Sequence, residues 1–86
     1  MPGVSRQGAD TAGGTIISGS GNVYVDGRPV VRIGDAVAGH GRSPHVAPVM
    51  VTGSGTVFAN NIPVSRAGDS ASCGHPASGS GDVFAN

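Results

Sequence analysis

The sequence predicts an all-β fold, and three observations carry that expectation. The 86 residues contain no Leu, Glu, Lys or Trp and a single Gln, so most strong helix formers are missing. In their place stand 16 Gly, 12 Val, 10 Ser, 6 Pro and 4 Ile, which suits short strands joined by tight turns. The chain also repeats itself, and that period separates it from the disorder that unpatterned glycine and proline would imply.

Residues 19–35, GSGNVYVDGRPVVRIGD, match residues 53–69, GSGTVFANNIPVSRAGD, at a constant offset of 34. A third start, GSGDVFAN at residues 79–86, runs to the end of the sequence and covers half a unit. The other half stands at the beginning, where VSRQGAD at residues 4–10 resembles VSRAGD at residues 64–69 with one residue inserted. There are thus a first unit, a second unit and a split unit made from the two ends. The split predicts that the ends meet, giving one domain over residues 1–86 with pseudo-threefold symmetry.

Each unit reads as a hairpin. In the first, Val23, Tyr24 and Val25 form an outgoing strand, and Asp26-Gly27 is a favoured pair for a two-residue turn with positive φ. Asn60-Asn61 holds the same place in the second unit, and asparagine tolerates that conformation next best. Pro29 and Pro63 open the return strands, where an edge position costs no ladder bond. The recurring R-x-G-D of Arg32 to Asp35 and Arg66 to Asp69 reads as a capped turn with an exposed ion pair. Tyr24, Phe58 and Phe84 share one position per unit and serve either packing or docking. GSG is not followed by the Lys-Ser/Thr of a phosphate loop.

Composition narrows function. Five Arg against five Asp leave no net charge, which argues against nucleic acid or an anionic membrane as partner. No apolar run approaches the roughly 20 residues of a transmembrane helix, and the N-terminus lacks a secretory signal pattern. A domain this small has a thin core and needs a staple. One cysteine cannot form an internal disulfide.

A metal could be that staple. The connector from Asp35 to Gly53 is about twice as long as its two equivalents and holds His40 and His45. The next connector holds Cys73 and His75. Three imidazoles and one thiolate form a full tetrahedral set for zinc. Cys73 and His75, at i and i+2, would point to one side of an extended segment. The plainer reading is three surface histidines and a small apolar thiol, but their gathering in two equivalent connectors favours one shared ion. With all four as ligands no open position remains for activated water, and the Asp residues sit in turns or at strand starts, so no enzyme is expected.

With GSGxV, RxGD and CGHPASGSGDVF in place, the chain resembles the PAAR-repeat proteins over nearly its whole length. The naming Pro-Ala-Ala-Arg is loosened here to Pro29-Val30-Val31-Arg32 and Pro63-Val64-Ser65-Arg66. The resemblance implies a small cone with zinc near its apex, held by His40, His45, Cys73 and His75. It implies a stand-alone spike tip, without an appended domain, in the baseplate of a type VI secretion system or contractile phage tail. One copy would cap a trimeric VgrG-like spike, touching the target membrane transiently as the tip pierces it, with effector proteins as further partners. Such a protein is assembled on the spike in the cytoplasm and leaves the cell with it, or sits at a virion tail tip. The rival reading is a zinc-binding toxin or hydrolase delivered by the same machine.

Overall fold

The two predicted turns form as their residue types allow. In a computed structural model describing residues 2–39, 41 and 47–85, Asp26 and Gly27 have φ of 54° and 77°, and Asn60 and Asn61 have 54° and 64°. Positive φ at both central residues matches the right-handed twist of the flanking strands. The first turn joins β1 (Tyr24–Val25) to β2 (Arg28–Pro29), and the second joins β3 (Phe58–Ala59) to β4 (Ile62–Pro63). Both pairs are antiparallel, with Tyr24 opposite Pro29 and Phe58 opposite Pro63. The described residues contain no helix.

The split unit closes as expected. Gly3 bridges Phe84, the Val4 N–H donates to the Val83 carbonyl at 2.8 Å, and the Ala85 N–H donates to the Pro2 carbonyl at 3.0 Å. The two ends therefore make the same ladder that a turn makes in the other units.

The three units then pair around an axis. Arg6 bridges Val30, Arg32 bridges Val64, and Arg66 bridges Val4, so each return strand meets the next. On the axis itself the backbone closes a triangle. Ser5 N–H donates to the Ser65 carbonyl at 2.9 Å, Ser65 N–H to Val31 at 2.8 Å, and Val31 N–H to Ser5 at 3.1 Å. An outer ring repeats the pattern, from Gln7 to Pro29, Ile33 to Pro63 and Ala67 to Gly3. Pro29 and Pro63 thus lose no donor the sheet needs, and their carbonyls hold the neighbouring unit. This is the pseudo-threefold β-structure that the repeat implied.

Two apolar clusters flank the axis. Val4, Val30, Val64, Ala59 and Ala85 fill the hairpin end, while Ala12, Ile16, Val31, Val37, Met50, Ala71 and Ala77 fill the connector end. Val30 and Val31 are consecutive yet serve different clusters, as the alternation of a strand requires. The first glycine of GSG is dictated by this packing, since a Cβ on Gly19 or Gly53 would sit 2.8 or 2.7 Å from the carbonyl oxygen of Val30 or Val64.

Ser65 is a flaw in the symmetry. It lies fully buried at the axis, and its Oγ has no hydrogen-bond partner, whereas Ser5 Oγ donates to the Ser78 carbonyl at 2.6 Å. Val31 occupies the equivalent place, so no hydroxyl is required there. Ser65→Ala should remove an unsatisfied buried group worth about 1 kcal/mol, raising the melting temperature by roughly 4–8 °C in a thermal scan. A fall in melting temperature would mean that the hydroxyl is satisfied in solution.

Candidate functional site

The R-x-G-D turns differ from the sequence expectation in one respect: their carboxylates are buried. Asp10, Asp35 and Asp69 are each under a tenth exposed. Asp69 Oδ2 accepts the Arg66 backbone N–H at 2.7 Å and Arg66 Nε at 2.9 Å, while Oδ1 accepts from Arg66 Nη2 at 3.1 Å and Thr52 Oγ1 at 3.0 Å. Arg32 and Asp35 repeat this arrangement with Ser18, and Arg6 and Asp10 with Ser78. The inserted residue between Arg6 and Asp10 only lengthens the turn. Burial pushes the Asp69 and Asp10 carboxyls up, but hydrogen bonds from their arginines and hydroxyls outweigh it and hold both below their ordinary range. A depressed folded-state pKa stabilises the fold above the unfolded value near 3.8, and that contribution is lost as pH falls through the folded one. These residues are the frame of the connectors, not a binding patch.

The serine of GSG likewise serves the fold. Ser20, Ser54 and Ser80 are buried, and each Oγ accepts the backbone N–H groups two and three residues on at 2.9–3.2 Å. That caps the start of each outgoing strand.

On this frame the connectors bring Cys73 and His75 together. The two residues sit in a tight turn rather than an extended segment. Gly74 has φ of 92° and its N–H donates to the Ala71 carbonyl, whose own N–H donates to the His75 carbonyl at 3.0 Å. The equivalent turn near the N-terminus closes from Ala12 to Gly14, two residues shorter, and has no room for a ligand pair. Cys73 Sγ and His75 Nδ1 lie 3.6 Å apart, both half-buried, with Cys73 packed on the connector-end cluster. Two ligands of one tetrahedral zinc, with bonds of about 2.3 Å to sulfur and about 2.0–2.1 Å to nitrogen, lie about 3.5 Å apart. The pair fits such an ion.

His40 and His45 lie outside the described residues, and among the described residues no group of three metal-ligand side chains converges. The stalks of their connector are described. Val37 N–H donates to the Pro48 carbonyl at 2.9 Å, closing the base of the loop. Val49 then pairs with Ser72: the Ser72 N–H donates to the Val49 carbonyl at 2.7 Å, and the Val49 N–H to Ser72 Oγ at 3.1 Å. The long connector is thus fastened one residue from Cys73.

At the other end, Tyr24, Phe58 and Phe84 are 58%, 54% and 47% exposed, which decides between packing and docking in favour of an open surface. Each follows an exposed valine, Val23, Val57 or Val83. Sequence reasoning passed over these valines. Their signal was present, since GSGxV places an apolar residue directly before the aromatic in every unit. A half-covered strand buries one of two consecutive residues; here both are exposed, in all three units.

Among the described residues the protein is thus a helix-free, pseudo-threefold β-structure with tied connectors at one end and three matching exposed apolar pairs at the other. The family model described as PAAR motif matches residues 7–79, and the chain belongs to that family. The family is one of structural spike-tip domains of type VI secretion systems and phage tails, associated with VgrG-type spikes and generally metal-binding. Comparison with curated proteins gives no match.

Proposed function

We propose that this protein caps the blunt end of a trimeric β-helical, VgrG-like spike, one copy per trimer, and sharpens it for piercing a target envelope. The observation that carries this reading is the set of three exposed valine–aromatic pairs related by the pseudo-threefold axis. One chain presenting three equivalent surfaces can meet all three chains of a trimer at once, which a partner of another symmetry could not satisfy. Docking also covers the open strand edges at the end of the spike, which would otherwise invite aggregation.

His40, His45, Cys73 and His75 hold one zinc ion in this reading. Zinc would supply folding energy that fixes the connectors at the point. The chain's own residues do the remaining work: the buried Arg–Asp turns position the connectors, and the Val49–Ser72 pairing sets the long loop beside Cys73. No chemical step is involved, and sheath contraction supplies the force. The protein joins its spike in the cytoplasm and is carried out with it, together with any effector mounted on the tip, or remains at a phage tail tip.

The test is the mass of the complex. Mixed with its trimeric spike protein, the chain should give a species of three spike chains and one cap by native mass spectrometry. Three caps per trimer, or no complex, would refute the reading.

A further inference from the structure

The two full units differ in the residue at the first turn position, and the charged one faces the split unit. The side chain at the first turn position of each full unit reaches across to the neighbouring unit. Asn60 of the second unit accepts hydrogen bonds from Ser20 Oγ at 2.6 Å and Arg32 Nη1 at 3.2 Å, and its amide donates to Asn22 at 2.7 Å. Those three partners belong to the first unit, whose strands are already joined by the Asp26-Gly27 turn. Asp26 makes the equivalent reach to the split unit. Its Oδ2 accepts from Ser80 Oγ at 2.6 Å and from Arg6 Nη1 at 3.1 Å. Ser80 begins the C-terminal strand and Arg6 belongs to the N-terminal one, so a single carboxylate oxygen spans the two ends of the chain.

We propose that Asp26 is a charged clasp that holds the chain ends together in place of the missing turn. A two-residue turn keeps two strands at high effective concentration, whereas the ends of a long chain carry the full entropy of closure. A carboxylate facing a guanidinium makes stronger hydrogen bonds than the neutral amide that suffices at Asn60. The extra strength sits at the strand pair that no two-residue turn joins. Arg6 is then shared between Asp10, which caps its own turn, and Asp26, which closes the seam. The split unit also carries Val83 and Phe84, so the clasp keeps one third of the exposed apolar face in register with the rest.

Native-state hydrogen exchange on the whole chain tests this amide by amide. The reporters are Val4, Ser80 and Ala85 in the split unit, whose N–H groups bond to Val83, Val4 and Pro2, against Ser54 and Val64 in the second unit. Asp26→Asn keeps the shape and the left-handed turn while removing the charge, as Asn60 shows is feasible. It should speed exchange at the three reporters severalfold and leave Ser54 and Val64 unchanged. Asp26→Gly keeps the turn and removes the reach, and should speed them by roughly tenfold or more. The matching Asn60→Gly change should move Ser20 and Val30 less, because their strands remain joined. Unchanged exchange at the chain ends in Asp26→Asn, or an equal acceleration in all units in either Asp26 variant, would overturn the clasp.

Discussion

Chelation of the purified protein should lower its melting temperature by at least roughly 12–24 °C. Structural zinc contributes an apparent binding free energy of about 10–16 kcal/mol in small domains near neutral pH, comparable to the whole stability of a typical fold, about 5–15 kcal/mol. Even a loss of about 3 kcal/mol shifts the transition of a domain this size by the stated amount, at roughly 4–8 °C per kcal/mol. The effect should be large here because the connector-end cluster has only seven members, three of them Ala. Cys73→Ser should reproduce the shift and abolish the one zinc per chain expected by elemental mass spectrometry. Wild-type protein that holds no zinc and melts identically with and without chelator would return the histidines and Cys73 to ordinary connector residues.

Phe58→Asp should weaken spike binding by roughly 30-fold or more without moving the melting temperature. An aromatic anchor at an interface centre typically contributes at least about 2 kcal/mol, and a buried carboxylate in its place adds a desolvation cost. The ring is more than half exposed in the free protein, so the fold loses little. Phe84→Asp should give nearly the same loss, since the pseudo-threefold axis presents the two rings to equivalent chains of the trimer. Affinities by titration against the trimeric spike decide the matter. Binding indifferent to both substitutions would place the docking surface elsewhere.

How much of this was legible in the sequence follows the range of the forces involved. The Asp26-Gly27 and Asn60-Asn61 turns were readable because positive φ is a local demand met by few residues. The meeting of the termini was readable because half a unit stands at each end. The burial of Asp35 and Asp69 was not, since R-x-G-D spells the same turn whether solvent or Thr52 lies beyond it. Cys73 and His75 do lie close together, but not as the spacing suggested: it implied an extended segment, and Gly74 instead folds the stretch into a turn. Tyr24 could not be assigned to packing or docking, because strands of two residues are too short to show alternation. The axial triangle left no trace in the residue types, since Ser5, Val31 and Ser65 meet through their backbones.

That triangle determines how the protein gives way under load. Each of its three members both donates to one neighbour and accepts from the other, so pulling any one out breaks two of the three bonds together. The outer ring from Gln7, Ile33 and Ala67 doubles the linkage in the same sense. No unit can leave without breaking two bonds of the inner ring and two of the outer ring together. A body linked in this way is brittle rather than ductile: it keeps its shape until a threshold force, then fails in one step.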